Sequence, residues 1–138
     1  MMKTTSLLLL AVILPVSVLA EPVYSSEEEY TSYLQSQLGG ETEVTLPDRT
    51  RVDLITPVHA IEVERAKRWA QAIGQSLHYA RMTDREPAIV LLTRADDRGR
   101  YFRRVAGVIE SFELPILLLL LDVETLQLSR IDLTREQG

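Results

Sequence analysis

The sequence predicts one α/β domain, a mixed sheet flanked by helices: helix, three antiparallel strands, helix, strand, helix, strand, or αβββαβαβ. Three observations carry this. Arg51–Ile55 and Ala60–Glu64 alternate apolar and polar residues on either side of a four-residue loop, the period-two pattern of a hairpin. Ala66, Trp69, Ala70, Ile73, Leu77 and Ala80 then recur at helical spacing. Ala88–Thr93 (AIVLLT) and Ile116–Leu121 (ILLLLL) are continuous apolar runs, each behind a proline and separated by a helical segment, as parallel strands covered on both faces read.

The first residues fall outside that pattern. Lys3, the apolar run Leu7–Leu14, Pro15 and the small residues of Val18-Leu19-Ala20 read as a secretory signal peptide over residues 1–20, cut before Glu21. The run is short for a bilayer span, so the expectation is an exported protein, periplasmic or secreted, with no stable membrane insertion after cleavage; an uncleaved anchor is the alternative. With no cysteine there is no disulfide framework and no lipid-anchor site. Residues 21–138 then form a single domain, long enough to bury a core. Loss of Lys3 takes the net charge from −5 to −6, a poor match to a dedicated duplex-binding protein.

Glu27–Leu38 reads as a helix with Ser25 or Ser26 as its cap, three glutamates in its first turn and Gly39-Gly40 at its end. Its apolar face is thin: Tyr30, Tyr33 or Leu34, and Leu38. Glu41–Leu46 alternates as a first strand, and Pro47-Asp48 turns the chain into Arg51.

The hairpin carries the candidate site. Closed symmetrically through Thr56–His59, it sets Ile55 opposite Ala60, Leu54 opposite Ile61 and Asp53 opposite Glu62. Like charges facing one another with side-chain roots about 5 Å apart ask for a cation. A Mg²⁺ or Mn²⁺ ion is one answer, since such hard cations take one or two protein carboxylates and keep positions for water and phosphate. In the same register Arg51 faces Glu64, and the structural alternative is a cross-strand ion pair beside a solvated acidic pair. The next helix bears a second stripe at fourfold spacing, Lys67, Gln71, Gln75 and Tyr79, with Lys67 one turn from Glu62 and Glu64.

An aspartate on one strand, an acidic residue on the next, and a helix bearing Gln-x-x-x-Tyr (Gln75 to Tyr79) resemble the PD-(D/E)xK nuclease superfamily, in particular its RecB-like branch. The resemblance runs from about residue 27 to 122 and implies a restriction-endonuclease-like core. It implies that Asp53 and Glu62 hold Mg²⁺ or Mn²⁺ and that Gln75 and Tyr79 belong to the site. Glu64 stands where the superfamily has its water-orienting lysine and adds a third carboxylate to the metal set. That lysine migrates onto the neighbouring helix in some members, and Lys67 is the candidate here. In many members a first-helix glutamate approaches the metal, a role open to Glu28 or Glu29, though helix-dipole complementarity explains those residues equally well.

Downstream, Arg100–Glu113 carries Phe102, Val105, Ile109 and Phe112 on one side of a helix. Arg94, Arg98, Arg100, Arg103 and Arg104 form either a backbone-phosphate patch or a solvated face mixed with Asp96 and Asp97. Leu126–Leu133 adds an edge strand. His59 and His78, without a partner His or Cys, do not make a transition-metal set; Ser76 and Ser111 have no base at a recognisable spacing; the glycines form no phosphate loop. Two functions remain. One is a metal-dependent phosphodiesterase acting on DNA or RNA; the other is a nuclease-fold module without chemistry, serving as an exported binding or assembly protein.

Overall fold

The computed structural model describes residues 20–133. The signal-peptide reading of residues 1–20 and the C-terminal tail therefore lie almost wholly outside the described residues. The chain is already tied down just after the predicted cut, where the Val23 N–H donates to the Val123 carbonyl at 2.8 Å.

Helix α1 (Glu27–Leu38) begins with a capping box. The Ser26 hydroxyl accepts from the Glu29 N–H at 3.2 Å while the Glu29 carboxylate accepts from the N–H groups of Ser26 and Ser25 at 2.9 and 3.0 Å. Gly39 and Gly40, both at positive φ, stop the helix and turn the chain into the sheet. The thin apolar face suffices because Tyr30 and Leu34 are completely buried and Tyr30 Oη donates to the Val123 carbonyl at 3.2 Å.

Strands β1 (Glu41–Thr45), β2 (Arg51–Ile55), β3 (His59–Arg65), β4 (Glu86–Thr93), β5 (Leu117–Asp122) and β6 (Leu128–Arg130) form one six-stranded sheet in the order β1-β2-β3-β4-β5-β6. The first three are antiparallel, β3, β4 and β5 run parallel, and β6 returns antiparallel on the edge. Helices α2 (Trp69–Thr83) and α3 (Asp97–Ser111) make the crossovers. The predicted α/β class with a mixed sheet and flanking helices stands, but the order αβββαβαβ is corrected to αβββαβαββ. The difference lies in β6, the edge strand expected over Leu126–Leu133 but left out of that order, which forms over Leu128–Arg130 and pairs with β5.

The core has two layers. Tyr30 and Leu34 of α1 pack on Leu54, Ile61, Val63, Val90 and Leu121; Ala72 of α2 and Val105 and Ile109 of α3 pack on Ile89, Leu91, Leu118 and Leu120. Because β3 lies between β2 and β4 and beneath helices on both sides, its alternation does not separate a buried face from a wet one. Glu62 and Glu64 are 4% and 3% exposed, so the alternative of a solvated acidic pair does not hold for Glu62. Among the described residues no helix is long and apolar enough to cross a membrane.

Candidate functional site

The β2–β3 ladder breaks at Asp53. The hairpin starts in the symmetric register, with Thr56 N–H donating to the His59 carbonyl at 2.9 Å, Ile55 paired with Ala60 and Leu54 with Ile61. Pairing stops there. The Val63 N–H, which continued register would direct at Val52, donates instead to Asp53 Oδ2 at 2.8 Å. The Asp53 carboxylate thus fills a gap between strands that have begun to part. Across the other edge of β2, Glu43 sits at φ +52° between the pairs Thr42–Leu54 and Val44–Val52. Leu54 packs against α1, whereas Val52, two residues earlier, packs with Ala60 and Tyr79. In a regular strand those two side chains share a face, so the alternation reverses at Asp53.

Glu62 lies beside that gap, and its Oε2 is buried with no hydrogen-bond partner. Burial first, then the charge and hydrogen bonding of Asp53, and then Glu64 and Glu27, push the Glu62 carboxyl up to about 10, so that it keeps its proton at neutral pH. Burial also raises Asp53, against the opposing pull of the Val63 N–H, and it raises Glu64. Protonation of Glu62 relieves the repulsion between the two carboxyls that a cation would otherwise offset.

Glu27 is the fourth carboxylate. Its charge raises the carboxyls of Asp53, Glu62 and Glu64. Of the first-turn glutamates, Glu29 is spent in the capping box and Glu28 is exposed. Three consecutive glutamates carry no signal in sequence that separates one from another; the rotation of α1 over β3 does.

The cations differ from expectation. A 3₁₀ turn, Ala66–Arg68, joins β3 to α2, and its tighter winding sets neighbouring side chains about 120° apart. Arg68 points back to the cluster, its Nε 3.6 Å from Glu64 Oε2, with Nε and an Nη held by Gln71 Oε1 at 3.0 and 2.7 Å. Lys67 is exposed and lines a different cavity, beside Leu92, Arg94 and Tyr101. Lys67, expected beside Glu62 and Glu64, forms no ion pair with either; the cation that meets Glu64 is Arg68. The expected Arg51–Glu64 pair is absent as well, because β2 has left β3 by that point, and Arg51 meets Glu43 at 4.0 Å instead. Arg65 Nε lies 3.6 Å from Glu27 Oε1.

Gln75 and Tyr79 are where their spacing on α2 puts them, one turn apart, with Gln75 Nε2 donating to Tyr79 Oη at 3.4 Å. Tyr79 is 5% exposed, and its phenol is raised by burial and by the charges of Glu62 and Asp53. Gln75 Oε1, like Glu62 Oε2, is buried without a partner. Two orphaned oxygens on adjoining elements are costly unless something binds them.

No group of three or more His, Cys, Asp or Glu among the described residues is arranged to hold a metal ion by itself. His59 pairs with Glu86 at 3.6 Å and His78 with Asp48 at 2.7 Å, both away from the cluster. The Asp53–Glu62 pair with its orphaned oxygen suits an ion that needs only one or two protein carboxylates, which is the habit of Mg²⁺ and not of a transition metal. No protein-family model, curated protein or solved structure matches the chain.

Proposed function

We propose that the protein is a metal-dependent phosphodiesterase of nucleic acid, built on a restriction-endonuclease-like core and acting outside the cytoplasm. The observation that supports it most is the break in the β2–β3 ladder, which holds Asp53 against Glu62 and leaves Glu62 Oε2 buried and unpartnered. Asp53 and Glu62 are the residues that would hold Mg²⁺ or Mn²⁺, with Glu64 adjoining. A divalent cation there supplies an activated water and offsets charge that builds on phosphorus. Arg68, oriented by Gln71 and Glu64, is the fixed cation of the site and the group placed to meet an incoming phosphate oxygen. Gln75 and Tyr79 close the site on the α2 side.

The test is hydrolysis of plasmid and single-stranded DNA by the purified protein with Mg²⁺, Mn²⁺ or EDTA. Cleavage with metal and none with EDTA is expected, and Asp53→Asn is expected to abolish it. One observation favours a second reading, a nuclease-fold binding or assembly module without chemistry: Lys67, the one lysine among the described residues, is exposed and lines a neighbouring concavity without an ion pair to the carboxylates. Absence of hydrolysis with every divalent ion would leave that reading standing.

A further inference from the structure

Lys67 opens onto a second concavity of about 240 Å³ beside the carboxylate cluster, lined also by Arg65, Arg94 and Tyr101. It lies where the parallel strands β3 and β4 end, the end of an α/β sheet at which ligands ordinarily sit. Arg65 belongs to both places, since it lines the concavity and its Nε lies 3.6 Å from Glu27 Oε1. The two arginines of the lining are already engaged: Arg65 with Glu27, and Arg94 with Glu124 at 3.2 Å. Lys67 has no ion pair or hydrogen bond with any described residue. Arg100 and Arg104 flank Tyr101, their guanidinium groups 5.9 and 5.8 Å from the centre of its ring, so two further cations are tied to a residue that lines the concavity. Asp97 also lines it, with Oδ2 accepting from the Arg94 N–H at 3.1 Å.

Free cations gathered on an acidic protein select an anion, and their position beside the carboxylates selects which one. We infer that this concavity binds the phosphodiester backbone of a nucleic-acid strand next to the bond presented to Asp53 and Glu62, with Lys67 on one phosphate and Arg100 and Arg104 on those beyond it. The inference rests on the proposed function for the identity of the strand, but strand binding needs neither metal nor cleavage. Adjacent residues of one turn thereby divide two tasks: Arg68 faces the carboxylates and Lys67 the backbone.

The experiment is fluorescence anisotropy of a labelled single-stranded oligonucleotide with the protein in EDTA, over a series of salt concentrations. Lys67→Ala is expected to weaken binding about fivefold at low salt and to lower the slope of log affinity against log salt by about 0.7, the value for one lost contact to single-stranded phosphate. Arg100→Ala/Arg104→Ala should lower it by about twice that. Lys67→Glu should weaken binding further than Lys67→Ala, and Arg81→Ala, exposed on α2 away from the concavity, should change it less than twofold. A parent that binds no strand, or a Lys67→Ala protein with unchanged affinity and slope, overturns the inference. So does displacement of the strand by tripolyphosphate at equal phosphate concentration, which marks a free-phosphate site. Cleavage that depends on Asp53 together with unchanged strand binding by Lys67→Ala would sink this inference and leave the proposed function intact; a parent that binds the strand but never cleaves it, with binding weakened by Lys67→Ala, would do the reverse.

Discussion

Glu62 is the residue whose environment makes the sharpest demand. Its carboxyl, ordinarily near 4.5, is raised to about 10 in the folded protein, chiefly by burial and by Asp53. Between those values the folded chain holds a proton that the unfolded chain has lost. Its contribution to stability is therefore complete below pH 4.5, declines as pH rises, and is gone above pH 10, with a slope of at most about 1.4 kcal/mol per pH unit. Urea unfolding between pH 5 and 9 should show that decline, and Glu62→Gln, which keeps the shape and cannot ionise, should flatten it. Metal binding competes with the same proton, so saturating Mg²⁺ or Mn²⁺ should raise the melting temperature more at pH 8 than at pH 6. Asp53→Asn should remove that rise without unfolding the domain, since the amide oxygen still accepts from the Val63 N–H and a like charge is gone. Arg68 belongs to this scale too. Arg68→Ala should cut hydrolysis about a hundredfold, as loss of a preorganised group facing developing charge does, and a variant cleaving at the parent rate would place the working cation elsewhere.

At the scale of elements, the site exists because β2 follows β3 for only two pairs and then departs. What holds β2 in place from outside is β1, and β1 is entered through Gly40. A Cβ at Gly40 would lie 2.2 Å from the Ile55 carbonyl oxygen, at a φ of +93° that side chains avoid. Gly39 has nothing within 4 Å and a φ of +74°. Gly40→Ala should therefore cost about 3 kcal/mol, at the upper end for backbone strain, and Gly39→Ala about 1 kcal/mol. Equal costs in chemical denaturation would show that the turn, and not the contact with β2, sets the price of both. The spacing of Gln75 and Tyr79 is legible in sequence because a helix converts a separation of four into a common face. The division between Lys67 and Arg68 is not, because it depends on a 3₁₀ turn that no periodicity announces.

At the scale of the whole molecule, the described residues form a six-stranded sheet with α1 on one face and α2 and α3 on the other, and the carboxylates of the site lie on β2, β3 and the first turn of α1. Export is proposed for it from the leader reading of residues 1–20. Mass spectrometry of material recovered from outside the cytoplasm should show Glu21 as the first residue; a chain that still begins at Met1 and stays in the membrane would contradict it.

The sequence by itself determined the elements, since hydrophobic periods of two and 3.6 are local properties of a chain: the hairpin about Thr56–His59, a serine cap on α1 at Ser25 or Ser26, the apolar runs of β4 and β5, and the Gln75–Tyr79 face of α2 all follow from neighbours in sequence. Only the tertiary structure decided what those elements do together. The burial of Glu62 and Glu64 comes from layers on both sides of β3; the joining of Glu27 comes from how α1 rotates over that strand; the Val63 N–H turns to Asp53 because β2 parts from β3. Each of these depends on chain segments brought together from opposite sides of one strand, and no local pattern records which side chain the packing will turn inward.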